Sequence, residues 1–406
     1  MIETIEDVRS FEKLRGEWDE LLQASISNSF FLTWEWLYPL WKHFAGDRQL
    51  CIVTLRSGGR LVAIAPLASR FRRLARVVPF RSLEFIGTDK VCSDYLELII
   101  RRGHEGEALQ ALGEYLGREE AVLEMVDVKR SGCLAARLTE GLSRHGWHLS
   151  EGTTDICPFV KLSGHSWESY LLSLTANHRG DFGRKLRNLQ KRFDVRFEQA
   201  RSPAEVREGL ARLVALHNMR WRDHGDSDAF DRPELIAFHK DATEFALERG
   251  WLRLFVLSLD GQPVASLYGF RYHRTFYFLQ SGFDPSYARH SVGMITLGLT
   301  IKSAIDEGAE EYDLLRGAEP YKFRWTRETR ELGRLVVFPP RLPAVLYQRA
   351  QSVGRAAKAV VRRALPKTLT DRIAIARRTG VWKELNAIVR SHATSHRLEA
   401  DQRGIE

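Results

Sequence analysis

The sequence predicts an α/β (α+β) chain: two tandem domains with mixed, largely antiparallel sheets, followed by a basic helical extension. Three observations predict it. Each half runs through amphipathic helices and then a meander of strands, an order that layers helices on a sheet. Ser57-Gly58-Gly59 and Asp260-Gly261 each sit between apolar strand-like runs and mark a hairpin in each half. Charge is uneven: residues 341–406 hold 14 Lys and Arg against 5 Asp and Glu, so the net charge of +9 belongs to the tail. The boundaries fall at 1–160, 161–340 and 341–406.

A chain of 406 residues has room for two or three cores, and its 44% apolar and 28% charged content is ordinary for a soluble globular protein. Its longest apolar runs are too short to cross a bilayer. The start, MIETIEDVRS, has neither the basic nor the apolar region of a signal peptide. Cys51, Cys92, Cys133 and Cys157 lie far apart, which favours reduced thiols and a cytoplasmic protein. No His, Cys, Asp or Glu spacing calls for a metal, and no Ser or Cys sits in a nucleophile elbow. The body before the tail is neutral, and no DNA partner is expected.

The elements follow in order. Val8, Phe11, Leu14, Trp18, Leu21 and Leu22 recur at helical spacing, so residues 1–24 read as one amphipathic helix. A second helix carries Trp34, Trp36, Tyr38 and Trp41, with Thr33 placed to cap it. It either packs as core or walls a substrate, and Trp34 is a candidate contact. Strands are expected at 50–55, 60–67, 83–86 and 95–100, with Pro66 ending or bulging the second. Asp94 precedes the last of these, where its side chain can project into a cleft. Helices at 105–118 and 132–145 flank a strand at 121–126.

In the second half, residues 174–192 are strongly basic and helical after Gly183; they form a solvated face or touch a phosphate-bearing ligand. Helices at 203–222 and 233–249 enclose a polar loop, Arg222 to Asp228, placed as a lid. Strands at 251–259, 264–272 and 275–281 form a meander. The turn Arg289-His290-Ser291-Val292-Gly293-Met294 then opens a long helix. Backbone N–H groups at a helix start bind anions; Gly293 would allow close approach, Ser291 would cap, and Arg289 would add charge. Gly308 closes that helix, strand 311–316 follows, and Gly317-Ala318-Glu319-Pro320-Tyr321-Lys322 gathers reactive groups.

Ser281-Gly282-Phe283-Asp284, Tyr287-Ala288-Arg289, Asp313, Arg316-Gly317 and Glu319-Pro320-Tyr321-Lys322 together resemble one branch of the GNAT superfamily. It is the double-domain branch associated with cellulose and polysaccharide biosynthesis, related in fold to the Fem-type peptidyltransferases. The likeness reaches back to Trp34-Glu35-Trp36, Gly87, Asp94-Tyr95 and the basic 177–192 segment. Val292, where the family often has Pro or a small residue, and Ala318, where it has an acidic or polar one, depart from the pattern.

The resemblance implies two tandem GNAT-like acyl-CoA N-acyltransferase domains, the first facing the acceptor and the second holding the donor. Acetyl-CoA or another acyl-CoA would be the co-substrate, without a metal, and an amine or sugar-linked small molecule the acceptor. Residues 289–294 would hold the CoA pyrophosphate. In such folds the acyl thioester lies where two strands splay, which puts Arg316 to Lys322 at the acceptor cleft with Asp94 opposite. Attack of an amine on a thioester needs a base and a proton for the thiolate. Glu319 is the candidate base, Tyr321 or Tyr287 the proton donor, and Lys322 either an oxyanion partner or a contact to an anionic acceptor. Arg316 either touches substrate or pairs with Asp313. Two other readings stay open: a Fem-type transferase using aminoacyl-tRNA, and a non-catalytic scaffold. The tail packs on the body or binds an anionic membrane surface, an anionic polymer or a protein.

Overall fold

The structure is a computed structural model and describes residues 1–74, 78–88, 93–221, 230 and 232–340. The basic tail, the polar loop Arg222 to Asp228 and Cys92 lie outside the described residues.

The first half begins with β1 (Ile2–Ile5), α1 (Val8–Lys13), α2 (Arg15–Gln23) and α3 (Trp34–Phe44). Strands β2 (Gln49–Ser57), β3 (Arg60–Leu74), β4 (Val78–Phe85) and β5 (Ile99–Ile100) follow. Then come α4 (Glu105–Arg118), β6 (Val122–Lys129), α5 (Leu134–Arg144) and β7 (His148–Lys161). The second half adds α6 (Trp167–Ser173), α7 (Ala176–Arg192), β8 (Val195–Gln199), α8 (Pro203–Trp221) and α9 (Pro233–Glu248). It closes with β9 (Leu252–Leu259), β10 (Gln262–Tyr272), β11 (Thr275–Phe283), α10 (Val292–Asp306), β12 (Glu311–Asp313) and β13 (Thr329–Phe338).

These strands make one mixed sheet in the order β1-β2-β3-β4-β6-β13-β7-β12-β11-β10-β9-β8, with β5 paired to β3. The halves meet in hydrogen bonds, not only in packing. Strand β7 pairs antiparallel with β12, and β13 lies between β6 and β7. The sequence order had placed β13 as the closing strand of the second half. Its run Leu335-Val336-Val337-Phe338 is buried on both faces, which suits an interior position in the sheet rather than an edge.

Three local expectations are corrected. Residues 1–24 are not one helix: Ile2 and Ile5 pair with Leu55 and Ile52 on β2, so a free sheet edge overrides helical propensity. Pro66 does not end β3, which continues to Leu74. Its nitrogen falls between the β5 ladder at Ala63–Ile64 and the β4 ladder from Leu67, so no ladder bond is lost there. Residues 95–98 are not strand, because Tyr95 takes φ 61 and Leu96 N–H turns to the Asp127 carbonyl.

The aromatic helix α3 is core. Trp34 is 3% exposed, donates from Nε1 to the Phe11 carbonyl at 3.0 Å and stacks on Tyr38. Trp34 and Trp36 meet Phe245 and Phe238 of α9 edge to face, and Phe30 stacks on Phe270. Thr33 caps nothing; its hydroxyl donates to the Phe30 carbonyl at 2.7 Å. The crowd of rings seals the seam between the halves.

Candidate functional site

The site starts from how β11 and β12 part. They pair in parallel over only three positions, Thr275–Tyr277 against Glu311–Asp313. After Asp313 the chain turns toward β7: Leu314 N–H bonds the Pro158 carbonyl and Gly317 N–H the Ile156 carbonyl. Residues 278–283 of β11 keep β10 on one side and have no β12 partner on the other. A wedge opens.

That wedge is a cavity of about 240 Å³. Phe278, Ser281, Gly282 and Phe283 of β11 form one wall, and Ser291, Val292, Gly293 and Met294 at the start of α10 form another. Tyr321, Arg324 and Trp325 close it on a third side, and Arg220 at the end of α8 reaches in. Gly282 has no alternative: an added Cβ would lie 2.3 Å from the His217 backbone nitrogen, so α8 can pack on β11 only at a glycine. Gly293 faces the cavity, where a Cβ would come within 3.2 Å of the Phe283 ring.

The α10 start differs in detail from expectation. Ser291 sits in the left-handed region at φ 58 and makes no capping bond; its hydroxyl accepts instead from Lys185 Nζ on the basic helix α7. The first-turn N–H groups of α10 are thereby left without a side-chain cap, the condition in which a helix start receives an anion. Arg289 is exposed, with its Nε 3.1 Å from His290 Nε2. The rings of Tyr287 and His290 lean on Phe193 outside the cavity.

The reactive motif splits into two parts. Tyr321 lines the cavity, and burial together with the nearby Glu319 carboxylate pushes its phenol well above the usual range, so it stays protonated. Glu319 is half-exposed and pairs with Lys322 at 3.0 Å. Burial lowers Arg220, opposed in part by the Glu319 carboxylate. Lys322 has another task. It is 3% exposed, and its Nζ donates to the carbonyls of Leu315 at 3.1 Å and Arg316 at 2.6 Å. With the Glu319 pair, those bonds occupy its three N–H donors and hold the loop.

Asp94, Arg316 and Asp313 do not line the cavity. Asp94 is fully buried and accepts from Arg316 N–H at 3.0 Å and from Arg316 Nε. Arg316 Nη2 also pairs with Asp127 at 2.9 Å. Asp313 does not pair with Arg316; it accepts from Tyr95 Oη at 2.7 Å and from Arg330 at 3.2 Å. Burial raises Asp313 to about 7. These are braces between the halves.

Residues 176–323 match the model of the acetyltransferase (GNAT) domain. The fold is GNAT-like. The chain is similar in structure to FemX, with TM-score 0.59 and 13% identity over 82% of this chain and 97% of that one. Weaker likenesses include the C-terminal domain of a putative lysylphosphatidylglycerol synthetase from Agrobacterium fabrum, with TM-score 0.49 and 12% identity over 84% and 96% of the two chains. A tandem GNAT protein from the clavulanic acid biosynthesis pathway gives TM-score 0.44 and 12% identity over 83% and 98%. No curated protein matches the sequence. Among the described residues, no group of acidic, His or Cys side chains could hold a metal, and no helix is long and apolar enough to cross a membrane.

Of the sequence-derived candidates, Ser291 to Met294 and Tyr321 share the GNAT-type wedge, with Glu319 beside it. Arg220, Lys185 and Arg324 were missed as site residues. Arg220 ends a helix whose spacing is merely amphipathic, and packing on β11, closest at Gly282, brings that helix to the cavity. Lys185 was visible as part of a basic run, but its partner lies 106 residues away.

Proposed function

We propose that the protein is an acyl-CoA-dependent N-acyltransferase, with acetyl-CoA the expected donor, in which an amine attacks the thioester directly. The observation that carries this reading is the wedge between β11 and β12, which ends at the uncapped first turn of α10. The second half, 161–340, would hold the donor and the first half, 1–160, would face the acceptor.

The residues fit that chemistry. The N–H groups at Val292, Gly293 and Met294 suit a pyrophosphate, with Lys185 and Arg289 adding positive charge. The pantetheine arm would run along the unpaired edge of residues 278–283. In the transfer a C–N bond forms and the C–S bond breaks. Tyr321, kept protonated, supplies a proton to the departing thiolate, and Glu319 takes the ammonium proton directly or through water. Arg220 stabilises negative charge developing near Tyr321. A role in polysaccharide or cell-envelope metabolism, with a saccharide-linked or other small amine as acceptor, rests on the sequence resemblance alone.

Glu319→Gln should lower kcat about 100-fold while acetyl-CoA affinity, read by calorimetry, stays within about two-fold. An unchanged rate across an amine acceptor panel would remove Glu319 as the base. Acetyl-CoA binding without turnover of any acceptor would favour a non-catalytic scaffold.

A further inference from the structure

A second cavity, of about 700 Å³, opens over the start of α7 and the segment 323–327, and it shares only Arg324 with the first. We propose that it binds a phosphoryl group of a ligand, at a place distinct from the α10 start. The inference stands independently of the acyl-CoA reading.

Four features converge there. Helix α7 is 17 residues long, and of its first N–H groups His178 bonds Thr175 Oγ1 while Arg179 bonds the Thr175 carbonyl. Those of Ala176 and Asn177 meet no acceptor among the described residues, and both residues line the cavity. His178 also lines it, is 7% exposed, and its buried Nε2 has no hydrogen-bond partner among the described residues. A buried polar atom with no partner is uncommon and points to a ligand or ion as the missing one. Its ring is fixed edge-on against Trp325, with centroids 4.6 Å apart.

Charge has the matching sign. Arg184, Arg324 and Arg327 line the cavity against one acid, Asp181, which pairs with Arg184. Neither Arg324 nor Arg327 makes an ion pair among the described residues. Helix N–H groups, an imidazole and two guanidinium groups border one cavity, a set of several donors that suits the oxygens of a phosphoryl group. Burial, with the Arg324 charge, lowers the His178 pKa; the Nε2–H tautomer of its ring is a donor.

The test uses the whole chain labelled with ¹⁵N histidine. His178 is assigned by loss of its signals in His178→Gln, and inorganic phosphate is titrated at constant ionic strength, with acetate as the control. The expected result is a saturable shift of the His178 Nε2 resonance by phosphate, persisting with CoA at saturation. Arg327→Ala, an exposed position, should weaken phosphate about ten-fold, about 1.4 kcal/mol. No shift, an equal response to acetate, an unaltered affinity in Arg327→Ala or loss of the shift on adding CoA would each overturn the proposal. Should CoA fail to bind while phosphate still shifts His178, the acyl-CoA reading falls and this one stands.

Discussion

At the scale of single residues, burial decides what an ionisable group can do. Asp94, a candidate substrate contact by its place before a strand, is fully buried and spent on Arg316. Without Asp94, Arg316 keeps Asp127 and some solvent but loses two bonds from a buried carboxylate, at about 1–3 kcal/mol. Asp94→Ala should therefore lower the free energy of unfolding in urea by about that amount; full stability with only a raised acceptor KM would restore the substrate role. Glu97 gives a pH test. It accepts from the N–H groups of Leu98, Leu134 and Ala135 at the start of α5, yet burial still raises it to about 7. A carboxyl raised from 4.5 to about 7 keeps its proton in the folded state while the unfolded chain releases it. Its contribution is thus fully present below pH about 4.5 and is lost as pH rises toward 7, at up to about 1.4 kcal/mol per pH unit. Urea melts across that window should show the slope in the wild type and a flatter curve in Glu97→Gln.

At the scale of elements, the helices and hairpins were legible because their signals are local. The Asp260-Gly261 turn, the apolar spacing of α9 and the glycine closing α10 each announce themselves within a few residues. Pairing across long separations was not legible: β1 was taken into a helix because only β2 shows it to be an edge strand. The basic segment was read as helical from Gly183, yet α7 starts at Ala176, where the Thr175 hydroxyl caps His178 N–H. Gly282 shows the same limit. Its motif was visible, but the reason for a glycine is the α8 backbone against it. Gly282→Ala must push α8 from β11, and about 3 kcal/mol of overpacking is expected. Thermal unfolding should register the loss; a variant as stable as the wild type would show that the contact is slack.

At the scale of the whole molecule, the two halves share one sheet. Strand β13 returns from the second half to lie between β6 and β7, and the Asp94–Arg316–Asp127 and Tyr95–Asp313 bonds cross the same seam. Those braces fix where the loop 314–325 stands, and with it Tyr321 and Glu319 against the wedge. Arg316 holds Asp94 and Asp127, and Lys322 holds the Leu315 and Arg316 carbonyls, which is the geometry of a support; a reacting group would need the same charge at the same place. Motif spacing alone cannot separate those two roles, since both demand a charged side chain at a fixed position. The wedge itself carries the functional claim, and calorimetric titration with acetyl-CoA, longer acyl-CoAs and free CoA tests it most directly. One saturable site is expected in the wild type, with binding weakened at least ten-fold in Gly293→Glu, whose side chain would enter the cavity and oppose the pyrophosphate. No binding of any of these ligands, or equal binding by Gly293→Glu, would contradict the account.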